Sequence, residues 1–286
     1  MVELQRAYPK FKERGIELVG ISYDSPAILK FFTARSGISF PLLADPHSRI
    51  IRRFGLLNPR GQGMTAGMAI PGFIYVGPRR RIREMFFEDN DLARYTANNM
   101  LGKLFPQLAD AARKSIPAPH IRVNLTQSDA AVIPGNRVTL DAVISLPAGV
   151  HVYAPGVQGG YRPISLKLDP SPDAAFHGAV YPCAQVIYLP VIREKVPVLE
   201  GTFRISEDVT LSYQPGFNVR IMKGPASGTA VTLKGNLFYQ ACNQKICFLP
   251  ASIPVSWTLT VMHLDRIHAP EAIRHKAPSR SSPARP

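Results

Sequence analysis

The spacing of apolar positions changes about a third of the way along the chain. In the first third, apolar side chains recur at helical spacing, as Leu4, Ala7 and Phe11 do, and helical stretches alternate with short apolar runs such as IELVGIS at 16–22. From residue 121 to about 262, apolar and polar residues alternate in short runs separated by turn residues, without a convincing helix. The pattern predicts an α/β unit followed by an all-β unit.

The helices and strands of the first part are predicted from this spacing and from the turn residues that interrupt it. We predict helices over 2–14, about 26–35, 47–55 and 91–105, and strands over 16–22, 40–45, 71–77 and 81–87. The last two strands would form a hairpin around Gly77-Pro78. Helices that alternate with strands in this order are typical of an α/β fold.

The second part reads as a β-sandwich, since its strand-like runs are short and regularly interrupted by turn residues. The change in composition suggests four segments. They are an α/β domain over 1–105, a proline-punctuated linker over 106–119, the sandwich over 120–262, and a disordered basic tail rich in Pro, Ser, Arg and His over 263–286.

Charge and composition exclude several classes of protein. The chain of 286 residues has a formal net charge of +14, but the excess is spread along it and no nucleic-acid-binding module is recognisable. It has no run of 18 apolar residues that would predict a transmembrane helix. The charged N-terminal stretch also lacks the apolar core of a signal peptide.

The candidate chemistry lies in FYQACNQKICFLP, residues 238–250, which holds two of the three cysteines. Strand-like runs flank this stretch, and the four residues between Cys242 and Cys247 fit a hairpin loop. Facing residues of an antiparallel pair are about 4.5–5.5 Å apart at Cα, and a disulfide accepts about 4.4–6.8 Å. The two cysteines could therefore bond across the hairpin.

Spacing alone leaves the role of this pair open. A disulfide around so short a ring would stabilise the fold by only about 2 kcal/mol, which weakly favours redox use over a structural crosslink. Lys245, inside the loop, would favour a thiolate on either cysteine. A metal site is poorly supported because no second cysteine pair exists. Cys183 has no partner left and is interpreted as a buried or incidental thiol.

Three stretches of the second part resemble one known domain. They are YQACNQKICFLP, HVYAPGVQGGYRPISLKLDP at 151–170 and VPVLEGTFRISEDVTL at 196–211, and they resemble the N-terminal domain of DsbD, the thiol:disulfide interchange protein. The resemblance implies an immunoglobulin-like periplasmic domain that passes electrons by thiol–disulfide exchange without a bound cofactor. It implies that Cys242 and Cys247 are the redox pair and that other thiol/disulfide proteins are the partners. The family's membrane-embedded electron donor domain is not in this chain.

Residues 1–105 resemble a thioredoxin-like redoxin of the alkyl hydroperoxide reductase/thiol-specific antioxidant family. The resembling stretches are VELQRAYPKFKERGIELVGISYDS, FPLLADPHSRIIRRFGL and AIPGFIYVGPRRRIREMFF. The resemblance implies that Pro71 is a cis-proline facing the active site. An ordinary trans proline that opens a strand is the alternative.

The departures from that family are informative. Residues 1–105 contain no cysteine, although redoxin chemistry requires a sulfur nucleophile. We therefore expect Met1 to be a late start inside a longer parent that carried a signal peptide, a central strand and the catalytic cysteine. Without that strand, the strands at 16–22 and 71–76 would lose a neighbour, so this domain should be the less stable one.

The sequence therefore predicts a periplasmic thiol–disulfide oxidoreductase that acts through Cys242 and Cys247 in cell redox homeostasis. One alternative is a non-enzymatic, protein-binding β-sandwich with a permanent disulfide. Another is a fragment of a peroxiredoxin-type antioxidant enzyme that has lost its peroxidatic cysteine.

Overall fold

The computed structural model of the chain describes residues 1–88, 90, 92–106, 114–189, 193–265 and 267–275. They form two compact units, one made of 1–97 with the residues from 265 onward and the other of 98–264. The helices are α1 (Val2–Lys12), α2 (Pro26–Ser36), α3 (Arg49–Arg53), α4 (Ala97–Leu104) and α5 (Pro215–Lys223). No helix within the described ranges is long and apolar enough to cross a membrane.

Capping residues determine where two helices of the first unit begin and where one of them ends. The Ser25 hydroxyl accepts a hydrogen bond from the backbone of Ile28 at the start of α2, and Gly37 ends that helix in the left-handed region, at φ 62°. The Asp45 carboxylate accepts hydrogen bonds from the first three backbone N–H groups of α3, each at 2.9 Å. α2 begins at the predicted residue, whereas α3 begins at Arg49, two residues after its predicted start at 47.

The first unit contains the strands β1 (Gly20–Ser22), β2 (Leu42–Ala44), β3 (Gly72–Gly77), β4 (Arg81–Phe87) and the short β5 (Arg94–Tyr95) among its described residues. The first four form two separate pairs. β1 runs parallel to β2, and β3 forms the predicted antiparallel hairpin with β4. Within the described part of the unit, no backbone ladder joins β1–β2 to β3–β4. The strand expected over 16–22 is ordered as a strand only from Gly20.

The start of the predicted disordered tail is ordered against the first unit. Asp265 forms an ion pair with Arg35 at 2.7 Å. Residues Glu271–Ile273 form a 3-10 helix, and the His275 ring stacks on Tyr23 and bonds Asp24 at 2.8 Å. The expectation of disorder is therefore wrong for 267–275, because polar and aromatic contacts hold a segment of low hydrophobicity. Residues 276–286 lie outside the described residues.

The described residues of the second unit form thirteen strands in three sheets. The strands are β6 (Lys114–Ala118), β7 (Ile121–Gln127), β8 (Ala131–Val132), β9 (Asn136–Ser145), β10 (His151–Tyr153), β11 (Ser165–Leu168), β12 (Ala174–Val180), β13 (Gln185–Leu189), β14 (Glu194–Glu200), β15 (Thr202–Leu211), β16 (Thr229–Tyr239), β17 (Ala241–Cys242) and β18 (Ala251–Val261). The first sheet has the order β12-β15-β9-β7-β6, the second β11-β16-β18-β8 and the third β13-β14-β10-β17.

The first and second sheets pack face to face as a β-sandwich, as the sequence predicted. Their inward side chains form one core, with Leu140, Ile205 and Leu233 almost fully buried. The only tryptophan, Trp257 on β18, lies in this core and donates from its indole nitrogen to the Thr126 carbonyl of β7 at 2.8 Å. This bond joins the two sheets across the core.

Two elements of the second unit differ from the sequence expectation. Residues 114–118, which were assigned to the linker, form β6 at the edge of the first sheet, where Pro117 is tolerated because an edge strand has one unpaired side. Residues 107–113 of that linker lie outside the described residues. Residues 215–223 form α5, which buries Phe217 and Ile221. Because α5 begins with a proline and a glycine, its sequence favoured a turn over a helix.

A buried acidic group joins α4 to the sandwich. The Asp208 carboxylate accepts hydrogen bonds from the Thr139 hydroxyl at 2.9 Å and from Arg137 at 3.2 Å, and it pairs with Lys103 at 2.8 Å. Burial alone would raise the pKa of Asp208. The Lys103 ammonium, the Thr139 hydroxyl and the Arg137 guanidinium outweigh it and hold the pKa below its ordinary value.

Candidate redox site

The cysteine pair lies between the two longest strands of the second sheet. β16 and β18 pair in register from Thr229↔Val261 to Tyr239↔Ala251, and the chain between them leaves that sheet. Ala241 and Cys242 form β17, which joins the edge of the third sheet beside β10. The flanking strands are therefore not one continuous hairpin, as the sequence suggested, because β17 changes sheet.

The tip of this connection is the tight hairpin that the spacing predicted. Cys242 and Cys247 face each other as an antiparallel pair, with a Cα separation of 4.0 Å, and their sulfurs are bonded. The backbone of Asn243 donates to the Ile246 carbonyl at 2.8 Å, and its side-chain oxygen accepts from the backbone N–H groups of Lys245 and Ile246. Asn243 therefore fixes the four-residue loop through hydrogen bonds that do not involve sulfur.

The two cysteines differ sharply in exposure. Cys242 is 1% exposed and packs with Tyr153, Val196 and Val198, whereas Cys247 is exposed. The neighbours of Cys247 on the loop side are apolar and open to solvent, since Ile246 is 56% exposed and Leu249 is 90% exposed. One sulfur is thus sheltered by the third sheet and the other faces outward among apolar side chains.

Aromatic side chains surround the inner side of the disulfide. The Tyr153 hydroxyl lies 3.6 Å from the Cys247 sulfur, and the Tyr153 and Tyr161 ring centroids are 4.6 Å apart. The Tyr161 hydroxyl donates to Glu194 at 2.6 Å, and this bond, with burial as a lesser cause, raises the pKa of Tyr161 to about 12. Burial, helped by the Glu194 charge, also raises the pKa of Tyr153. Both phenols remain protonated donors at neutral pH.

Sequence reasoning missed these tyrosines and did not assign His151 to the site. The three residues HVY form β10 next to β17, with His151 opposite Cys242 and Val152 opposite Ala241. Val152 belongs to the main core, so His151 and Tyr153 occupy the other face of the strand, on the side of Cys242. The alternation of HVY as a strand is the signal that could have placed His151 and Tyr153 on one face.

The remaining candidates lie elsewhere or stay untested. Every peptide bond of the described residues is trans, so the expectation of a cis-proline at Pro71 is wrong. Pro71 directly precedes β3, where an ordinary trans proline opens a strand without losing a ladder hydrogen bond. Lys245 is exposed in the hairpin loop, and its effect on a thiolate stays a prediction. Cys183 is a free, exposed thiol rather than a buried one.

The described ranges offer no alternative centre of metal chemistry, since no three His, Cys, Asp or Glu side chains converge there as metal ligands. Fold and site together define a disulfide-bearing β-sandwich joined to an α/β unit that carries no cysteine.

Residues 1–85 match the AhpC/TSA family, which confirms the redoxin resemblance of the first part of the chain. Two relatives are Peroxiredoxin 2 of Picrophilus torridus, 28% identical over 154 residues, and a peroxiredoxin of Aeropyrum pernix, 29% identical over 125 residues. The matches cover 52% and 41% of this chain, and 72% and 48% of the respective relatives.

Similar solved structures are of the kind that the cysteine motif resembled. They include the N-terminal periplasmic domain of ScsB from Proteus mirabilis, at 13% identity and a TM-score of 0.36, covering 54% of this chain and 52% of that one. They also include the reduced N-terminal domain of DsbD from Neisseria meningitidis, at 12% identity and a TM-score of 0.27, covering 42% and 77%. At this distance neither structure transfers a role to any residue here.

Proposed function

We propose that the chain is a thiol–disulfide oxidoreductase whose second unit exchanges electrons with partner proteins through Cys242 and Cys247. The observation that carries the proposal is a disulfide with one buried and one exposed sulfur at the tip of a fixed hairpin. A bond that only crosslinks the fold gains nothing from such asymmetry. A bond that opens to a partner needs one sulfur that the partner can reach.

In this mechanism Cys247 meets the partner. Its thiolate attacks the partner disulfide, forms a mixed disulfide and releases the first partner thiolate. Cys242 then attacks the Cys247 sulfur, which restores the Cys242–Cys247 bond and releases the second partner thiolate. Two electrons pass from the pair to the partner, and the protons of the two cysteine thiols end on the two partner thiols.

The surroundings of Cys247 suit a protein partner. The exposed side chains of Ile246 and Leu249 offer apolar surface next to the reacting sulfur, which a docking protein would cover. Lys245, in the same loop, would stabilise the Cys247 thiolate by its charge. We propose other thiol/disulfide proteins as partners, with a membrane-embedded protein as the electron donor.

The first unit does not supply the reacting sulfur in this proposal. It has the redoxin match, but its residues include no cysteine, and peroxide reduction needs a sulfur nucleophile. We therefore expect this chain to consume no peroxide. The resemblance of the cysteine motif is the basis for a proposed periplasmic location. The change in composition along the chain is the basis for proposed functional boundaries at 1–105 and 120–262.

An equilibrium redox titration tests the proposal. The Cys183→Ser variant would be equilibrated in thiol–disulfide buffers and its two remaining thiols counted by alkylation and mass spectrometry. A potential near those of periplasmic carriers, together with disulfide exchange with a disulfide-bonded protein, is the expected result. A potential below about −300 mV would instead mark a permanent crosslink and favour the binding-module alternative.

A further inference from the structure

His151 lies at the centre of a row of three chemically reactive side chains that crosses the third sheet. In the antiparallel register it faces Glu200 of β14 on one side and Cys242 of β17 on the other. Directly opposed residues point to the same face of a sheet, with Cβ atoms about 4.5–5.5 Å apart. The order across three strands is therefore carboxylate, imidazole, sulfur.

Packing alone does not explain why an imidazole occupies this buried position. His151 is 2% exposed, and its Nε2 atom has no hydrogen-bond partner among the described residues. A buried polar nitrogen without a partner costs about 1–3 kcal/mol, and an apolar ring would fill the same space without that cost. The group next to it in the row is Cys242, which as a disulfide sulfur has no proton to share. In the reduced protein Cys242 carries one.

We propose that His151 accepts the thiol proton of Cys242 at the moment when the reduced pair closes its disulfide. This step rests on the proposed function, in which Cys247 is held in a mixed disulfide with a partner. The Cys242 thiol transfers its proton to Nε2 of His151, and its thiolate attacks the Cys247 sulfur. The Cys242–Cys247 bond forms, the Cys247–partner bond breaks, and the departing partner thiolate takes up the proton from the imidazolium.

The groups that face His151 suit this role. Glu200 is exposed on one side, Cys242 is buried on the other, and the Tyr153 ring lies edge-on to the imidazole at 5.8 Å on the same strand. Burial lowers the pKa of His151, and the Glu200 charge raises it in part. The imidazole is therefore neutral and able to accept a proton at pH 7, while Glu200 would stabilise the imidazolium that forms.

The role is tested by separating the two chemical steps. Full-length Cys183→Ser protein, reduced with excess phosphine and freed of it, would be mixed with an aromatic disulfide whose thiolate product absorbs visible light. The first release reports attack by Cys247 and the second reports ring closure by Cys242. We expect His151→Phe and His151→Gln to slow the second release by about 10- to 100-fold near pH 7 and to leave the first release unchanged.

The pH profile distinguishes proton transfer from packing. The difference between variant and parent should shrink as pH rises through the pKa of the Cys242 thiol, above which Cys242 ionises unaided. Glu200→Gln should give a smaller slowing with the same pH dependence. The matched control is His177→Phe on β12, an exposed histidine that bonds Thr210 at 2.8 Å and should change neither release.

Each outcome decides between the two proposals. Ring closure with the same rate and pH profile in both His151 variants would overturn the role of His151, even if the redox potential and protein exchange were as expected. If the parent failed to exchange with protein disulfides while its ring closure still depended on His151, only the proposed function would fall. A bond that excess phosphine cannot open would overturn both.

Discussion

The two units of the chain differ in how extensively their strands are paired and in how completely their apolar side chains are buried. The second unit has strands of ten or eleven residues, β9, β15, β16 and β18, packed around one core. In the first unit β1 and β2 have three residues each and pair only with each other among the described residues. Most of the exposed large apolar side chains also lie in the first unit, including Ile21, Val76 and Met85.

The family match and the candidate cysteine pair lie on opposite sides of this difference between the units. The redoxin match lies in the unit with short strands and no cysteine, whereas the disulfide lies on the unit with the extensive core. A reacting pair benefits from a rigid support, because geometry must be held to fractions of an ångström. The family match and the candidate redox pair therefore lie on different units of the chain.

The largest expected effect concerns proteolysis. Because the first unit leaves strand edges and apolar side chains exposed, we expect a nonspecific protease to degrade residues 1–97 many times faster than 98–264. A digestion time course followed by mass spectrometry would measure both. Persistence of a 1–97 fragment after the sandwich has gone would reverse the comparison.

Core truncation should separate the two units energetically. Leu140→Ala should lower the free energy of unfolding of the second unit by about 2–5 kcal/mol, since Leu140 is fully buried in its core. Urea unfolding followed by fluorescence measures this unit alone, because Trp257 is the only tryptophan. Leu29→Ala, in the first unit, is the matched control. A shift of the Trp257 transition in that variant would show that the units unfold together.

The Asp208 cluster should make the sandwich sensitive to acid. The pKa of Asp208 is lower in the folded unit than in the unfolded chain, so its contribution is complete above about pH 5 and is lost as pH falls through the folded pKa. Asp208→Asn should cost about 2 kcal/mol at pH 7 and reduce the acid sensitivity. The control Asp173→Asn removes an ion pair with the half-exposed Arg220 and should cost less than about 1 kcal/mol. Equal losses would contradict this account.

An effect no larger than that of Asp208→Asn is expected from the disulfide itself. Opening a ring of six residues should reduce the free energy of unfolding of the second unit by about 2 kcal/mol. Trp257 fluorescence in urea, with and without reductant, measures the change in the Cys183→Ser background. A loss comparable to that of Leu140→Ala would mean that the bond is structural and that the second unit depends on it.

The sequence predicted the local features of the site well and its non-local features poorly. Five positions separate Cys242 from Cys247, so hairpin geometry alone indicated that they could bond. The contact of Tyr153 with Cys247 spans 94 positions, and it exists because β17 leaves the β16–β18 ladder to join β10. Alternation along a strand does not reveal which sheet that strand will join.

The same limit explains the errors in the predicted fold. A short helix such as α5 contributes only Phe217 and Ile221 to the core, too few apolar positions to show a period behind an opening Pro-Gly. Family resemblance suggested a cis bond before Pro71, yet the isomer of an X-Pro bond depends on its tertiary surroundings. Both features are set by packing rather than by the adjacent residues.

The hydrogen bonds of Asn243 have a consequence for the rate of reoxidation. Because they do not involve sulfur, they should also close the loop in the reduced pair, so the two free thiols should stay near bonding distance. Such a pair reacts as if each thiol met the other at a very high effective molarity, because the entropy of bringing them together was lost during folding. A mixed disulfide at this hairpin should therefore be short-lived and release its partner quickly.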